Sequence, residues 1–389
     1  MRYAAMIAVI YLVINGCITP YELSRVEAYR RILVVDGLIT DSITTIRLSR
    51  SVGLTERLND LAYVNHATVF VECDDGTVSD ASQLVGGGNY TILTGDLNPQ
   101  RKYRLKIILD EEEYRSEFLS PLTTPDFMLS WVKMDNGARV SFNVSTQDTL
   151  NQSSCYLWSY KEDWEFTARI LVDSFCINYE WVFHDINAPD NHYYCWKKDS
   201  SRVFILANAE GMIGHEIRDR EIYAPSAATD RFSLLYHIAV KQNLIRKEAY
   251  AYYTNLQNNV ERTSNIFAPI PAERQGNLYC VTTPELPVIG YVDVSTTVER
   301  KRFITRDEAY IGTAYYPAVI LDDCTFQEVN VPPPECLNTP QFQWVYVDWR
   351  KMGIQAGSAV KSFYVTPCVD CIAAGGTKDK PSWWPTEHL

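Results

Sequence analysis

The chain has 389 residues, with 36 Lys and Arg against 48 Asp and Glu, a formal net charge of -12. That balance excludes non-specific nucleic-acid binding and a polybasic membrane patch, both of which need a basic face. The length allows two or three domains, and 25 Tyr with 9 Trp favour strands and sheet surfaces.

The first element is a signal. Arg2 precedes an apolar stretch, Ala4 to Ile14, that ends in Ile14-Asn15-Gly16-Cys17. The stretch is too short for a hydrocarbon core, which needs about twenty residues, but it fits the apolar part of a signal peptide. A cysteine directly after a small residue predicts a lipoprotein signal over 1–16, with Cys17 as the lipid-bearing N-terminus. The alternative is an ordinary cleaved signal with an incidental cysteine. Residues 17–30, with Pro20, read as a tether.

Strand signals follow. Ile32–Ile39, Thr44–Ser51, Ala67–Val71, Asn89–Thr94, Lys102–Ile108 and Tyr114–Leu119 are apolar or alternating runs, broken by signals such as Asp75-Gly76. Their spacing predicts an all-β sandwich over 31–124, closed by Pro121 and Pro125. Gly86-Gly87-Gly88 precedes a strand rather than a helix, so it predicts a hairpin connection and not a phosphate loop. Cys73 is the candidate for a buried, unpaired thiol.

Residues 125–389 form a larger β-rich region with a sub-boundary near 235. Arg139–Val144 alternates. Tyr156–Tyr160 and Trp164–Ala168 predict a hairpin that turns at Lys161-Glu162-Asp163, and Asn187–Asn191 reads as loop. The one clear helix is predicted over 244–260, where Ile245, Ala249, Tyr252, Leu256 and Val260 recur at helical spacing; Pro269 and Pro271 stop it. Leu286–Ser295, Arg302–Ile304 and Phe342–Val347 return to strand, and Val331–Pro334 is a stiff linker. The fold class is therefore mainly β.

Ten cysteines fit an oxidising compartment. Cys368-x-x-Cys371 has three readings: a redox pair, half a zinc site or a structural disulfide element. A redox motif opens a helix, whereas Pro367 and Ala373–Gly376 flank this pair and read as loop. A zinc site needs a second pair, and no other Cys-x-x-Cys exists. Disulfides that pin the tail are favoured, with Cys324 or Cys336 as partners; Cys176 and Cys195 are further disulfide candidates. His215-Glu216-Ile217-Arg218-Asp219 lacks the second histidine of a zinc-protease helix and reads as a surface charge cluster. There is no nucleophile elbow, and Asp74-Asp75 and Asp322-Asp323 sit at turns. No catalytic residue, metal site or cofactor is expected.

Leu33–Thr40, Arg47–Arg50, Trp158–Glu165, Val240-Lys241-Gln242, Glu248-Ala249-Tyr250, Gly276-Asn277, Pro287–Tyr291, Cys368–Cys371, Gly375-Gly376-Thr377 and Trp383-Trp384 follow in an order that resembles the Bacteroidota lipoprotein family called domain of unknown function 4249. The resemblance implies an N-terminal Ig-like sandwich of the carboxypeptidase-regulatory kind. It also implies an outer-membrane lipoprotein, often encoded beside a TonB-dependent receptor, and no catalytic activity. In that phylum Asp-Ser/Thr motifs can be O-glycosylated, which marks Ser42 and Thr149. The expected function is a non-catalytic binding or accessory protein, held at the membrane by lipid on Cys17. It would partner a TonB-dependent receptor in nutrient uptake, with its ligand and membrane face, surface or periplasmic, left open. A structural or adhesive surface module is the alternative, followed by a hydrolase hidden in the C-terminal region.

Overall fold

The computed structural model describes residues 32–51, 62–177, 180–212, 215–262, 276–309, 324, 326–328, 342–347 and 360–385. Cys17, Cys336 and the Asp322-Asp323 and 331–334 segments lie outside them. The fold is mainly β. In chain order the first strands are β1 (Leu33–Leu38), β2 (Ser42–Arg50), β3 (Thr68–Cys73), β4 (Gln83–Gly86), β5 (Asn89–Gly95), β6 (Tyr103–Leu109) and β7 (Glu112–Ser116). Next come β8 (Phe127–Met134), β9 (Arg139–Gln147), β10 (Cys155–Thr167), β11 (Ser174–Ile177), β12 (Glu180–Phe183), β13 (Tyr194–Ser200), β14 (Ile205–Asn208), β15 (Glu216–Tyr223) and β16 (Leu235–Ile245). Helix α1 (Lys247–Arg262) precedes β17 (Leu278–Cys280), β18 (Val288–Ile289), β19 (Thr297–Thr305), β20 (Phe326–Glu328), β21 (Phe342–Val347) and β22 (Val360–Val365).

The first unit is a pair of sheets, β18-β1-β2-β5-β4 and β17-β7-β6-β3. Alternate residues of both sheets, among them Leu33, Ile46, Leu48, Val69, Leu105 and Ile107, meet in one buried core, as period-two patterning dictates. Residues 31–124 do not build this unit alone. The chain returns at 278–289, where β17 pairs with β7 and β18 runs parallel to β1. The return depends on two glycines. A Cβ on Gly276 would collide with the Gly290 carbonyl, and one on Gly290 would sit 2.5 Å from the Val35 carbonyl oxygen. Asn277 locks the crossing by exchanging hydrogen bonds with the Val292 backbone at 2.8 and 2.9 Å. Of the predicted strand 286–295, only Val288–Ile289 is one.

In the second unit, the sheet β15-β9-β8 faces the sheet β13-β10-β16-β19 across an aromatic core that includes Phe142, Trp158, Trp164, Phe166 and Tyr236. β12-β11-β21-β22-β20 form a further sheet. The predicted hairpin at 156–168 is instead one continuous strand, β10, of 13 residues. Lys161-Glu162-Asp163 is not a turn, because the Glu162 carboxylate has buried partners. Arg231 donates to it at 2.8 and 3.0 Å, Tyr236 at 2.8 Å and Tyr223 at 3.1 Å. Burial works against the Arg231 charge, yet the hydrogen bond and charge of Glu162 hold its pKa above the ordinary value. Tyr160, nearby, is pushed up to about 12 by burial and by the Glu162 charge.

Helix α1 begins later than predicted, since Ile245 still pairs with Cys155 in the sheet. Asp293 fixes that start: its buried carboxylate accepts the Arg246 N–H at 2.7 Å and pairs with the Arg246 guanidinium. Ala249, Tyr252 and Tyr253 then pack on Cys155, Leu157 and Ile245, which explains the helical spacing of the apolar positions.

Candidate functional site

The site grows from the register of one sheet. Residues opposite each other in β13, β10, β16 and β19 point to the same side. One such row is Trp196, Glu165, Leu235 and Thr305; the next is Lys198, Asp163, His237 and Phe303; the third is Ser200, Lys161, Ala239 and Lys301. All three rows lie on the outer side of the sheet, opposite the aromatic core.

That outer side has two covers. At one end α1 seals Cys155, Leu157 and Ile245. At the other, the C-terminal tail seals the first row: Trp384 packs on Trp196 and Leu235 and donates its Nε1 to Glu165 at 3.1 Å. Thr377 and Trp196 exchange backbone hydrogen bonds, both 2.9 Å, so the tail joins the free edge of β13. Gly376 permits this, because a Cβ there would lie 2.6 Å from the Cys195 Cβ and 2.8 Å from the Phe166 ring. Between the covers the third row and, in the second, Lys198, Asp163 and Phe303 are not buried, whereas His237 lies against Trp383. Lys161, Asp163, Lys198, His237, Ala239 and Lys301 of these rows line a groove of about 750 Å³, which Trp383 borders from the tail side.

The groove is lined by charges of both signs and by aromatic rings. Lys161 and Lys198 are exposed and have no ion-pair partner among the described residues, whereas Lys301 pairs with Glu299 at 3.0 Å. His237 is 3 % exposed and is packed against Trp383 and Phe303, with ring centroids 4.4 and 4.7 Å away. Its Nδ1 lies 3.7 Å from Asp163 Oδ2, beyond hydrogen-bond reach, and has no other partner among the described residues.

The tail cover is bonded covalently. Cys371 is joined to Cys195 and Cys368 to Cys324; Cys176 is also disulfide-bonded. The partner expected for Cys371 was Cys324 or Cys336, and Cys195 takes that place. Nor is the Cys-x-x-Cys segment loop, because Thr366–Val369 forms one helical turn. Asp370, inside the motif, holds His192 at 3.0 Å, and the His192 carbonyl accepts the Cys371 N–H at 2.9 Å. The Asp370 hydrogen bond raises the His192 pKa. Burial opposes the Asp370 charge, but His192 holds that carboxyl below its ordinary value.

Cys73 is free and buried as expected, and so are Cys155 and Cys280. Ser42 and Thr149 are exposed, each after an aspartate engaged with backbone: Asp41 accepts the Thr297 N–H at 2.7 Å and Asp148 accepts that of Leu150 at 2.9 Å. His215 leads into the strand β15 rather than a helix, and Glu216 pairs with Arg218 at 2.6 Å. Among the described residues no group of three or more His, Cys, Asp or Glu could hold a metal ion, and no helix is long and apolar enough to cross a membrane. Residues 18–301 match the family model described as domain of unknown function (DUF4249). The chain belongs to the DUF4249 family. No curated protein matches it. The family-like motifs named above fall at structural joints of this DUF4249 chain. Gly276-Asn277 and Gly290 allow the chain return, Gly376 the tail crossing and Trp384 the tail dock. Gln242 accepts from Trp158 Nε1 at 2.8 Å and donates to the Pro125 carbonyl at 2.8 Å.

Lys161, Lys198, His237, Ala239 and Lys301 were not singled out from sequence. One signal was available: Ser159, Lys161 and Asp163 alternate with Trp158, Tyr160, Glu162 and Trp164, the mark of a single strand with one polar face.

Proposed function

We propose that this protein is a non-catalytic binding lipoprotein of the outer membrane, anchored by lipid on Cys17, that partners a TonB-dependent receptor in nutrient uptake. The observation that carries the binding role is the uncovered middle of the outer sheet face. Two separate covers, one helical and one cross-linked, stop short of the same polar strip. The sheet fixes the backbone positions of the strip, which lowers part of the ordering cost of binding. The lipid anchor is supported by the Ile14–Cys17 sequence, and the receptor partnership by the family resemblance. The first sheet pair is read as the Ig-like, carboxypeptidase-regulatory kind on the same resemblance, and Ser42 and Thr149 as O-glycan acceptors.

Two measurements test this function. Metabolic labelling with a radioactive fatty acid should mark the native protein and not the Cys17→Ala variant. Mild detergent extraction of native membranes should recover the protein with a β-barrel receptor; repeated recovery without one would remove the receptor from the proposal.

A further inference from the structure

We infer that the open strip binds an acidic oligosaccharide, with sugar carboxylates held among Lys161, Lys198 and Lys301 and a sugar face laid against Trp383. This rests on the binding role proposed above and names its ligand class.

The charge argument comes from register. Lys161 lies opposite Ser200, and Lys198 opposite Asp163, so the two lysines are diagonal neighbours about 7–8 Å apart at the backbone. Lys301 stands across Ala239 from Lys161, two strand spacings or about 10 Å away. The small Ala239 side chain leaves the space between them open. Three lysines therefore stand in a line across the strip, Lys161 in the middle with a gap beside it, on a chain whose net charge is -12. Two of them have no anionic partner among the described residues. A carboxylate in the gap would accept charge-assisted hydrogen bonds from two of these lysines.

The rest of the floor selects among anions. Asp163 and Glu299 line the same strip beside the lysines and disfavour anionic groups close to them, so a chain with spaced charges fits better than a densely sulfated or phosphorylated one. They accept hydrogen bonds from hydroxyl groups, which sugars present between their carboxylates. Trp383 supplies the flat apolar wall: it is 51 % exposed, yet its ring is backed by His237 at 4.4 Å and Trp384 at 5.5 Å. The groove volume of about 750 Å³ falls in the range for small ligands, roughly 300–1,000 Å³.

Affinity electrophoresis of the full-length protein in mild detergent tests this, with polygalacturonate, neutral dextran or dextran sulfate in the gel. The expected result is retardation by polygalacturonate, none by dextran and little by dextran sulfate. Lys161→Gln with Lys198→Gln, and separately Trp383→Ala, should each weaken polygalacturonate retention about tenfold, equivalent to about 1.4 kcal/mol. Unchanged thermal midpoints would show that the variants are folded. The inference falls if polygalacturonate does not retard the wild-type protein, if dextran sulfate retards it equally, or if the variants are retained as well as wild type. Failure here leaves receptor recovery untouched. Conversely, polygalacturonate retention without a recovered barrel would sink the receptor partnership and keep this ligand.

Discussion

The two units hold themselves together in different ways. The core of the first sheet pair is mostly aliphatic, with Tyr90 and Tyr114 as its buried aromatic members. The facing sheets of the second unit bury eight Phe, Tyr and Trp residues in their core, together with the Glu162–Arg231 pair and the fully hydrogen-bonded Gln242. Its tail is cross-linked through Cys195–Cys371 and Cys324–Cys368, while Cys73 and Cys280 of the first unit remain thiols. Aliphatic packing tolerates volume-conserving exchanges of one apolar side chain for another. A buried ion pair or a disulfide needs one particular partner. The unit with the specific partners is also the one with the groove, where side chains must be held in place for binding.

The variant that strains this contrast most is Glu162→Ala. It takes the main anion from the partly buried Arg231, leaving Asp199 at 3.6 Å, and removes the acceptor of Tyr236 and Tyr223. Loss of about 3–5 kcal/mol is expected, read by urea unfolding followed by tryptophan fluorescence; a loss under 1 kcal/mol would mean the network is dispensable. Leu48→Ala, at a fully buried site of the first core, should cost about 3 kcal/mol through transfer and cavity terms. Its further use is as a contrast: Leu48→Val or Leu48→Met should recover most of that loss, whereas Glu162→Gln should recover little.

Cys371→Ser should lower stability by about 2 kcal/mol and free the tail. Protease would then cut beyond residue 371 in the otherwise folded protein, since Cys368 stays joined to Cys324, and Trp384 fluorescence would shift to the red. A tail that stays resistant would show that the Trp384 dock suffices without the bond.

The smallest effect is the pH dependence of the tail clamp. The raised His192 pKa gives a contribution that is full below about 6.5 and is lost as pH rises through the folded value. The lowered Asp370 pKa gives one that is full above about 3.9 and is lost as pH falls through its folded value. The clamp should thus be strongest between those limits. His184 works the other way: burial lowers its pKa, so its contribution is present above about 6.5 and declines in acid. A proton NMR titration should place His192 above 6.5 and His184 below it, and Asp370→Asn should bring His192 down; no movement would break the link between the two residues.

Much of the fold is legible residue by residue. Ile46, Leu48, Val69, Val71, Leu105 and Ile107 alternate with polar neighbours, and a half-buried strand demands that pattern whatever it packs against. Helix α1 shows its apolar spacing for the same reason. Glu162 misled because three charged residues in a row resemble a turn, and the cation that makes the acid tolerable in a strand is 69 residues away. The return of β17 and β18 is hidden likewise, since two-residue and three-residue strands carry too little periodicity to register.

By itself, the sequence determined the mainly β fold, the family, the position of the helix and the demand for cross-links near the tail, because each is written in local spacing or in ordered motifs. Tertiary structure alone decided which cysteine meets which, where Glu162 finds its cation and which lysines share one face. Those depend on strand register and on chain crossings at Gly276, Gly290 and Gly376. Pairing energies between distant strands, not neighbours in the chain, set them.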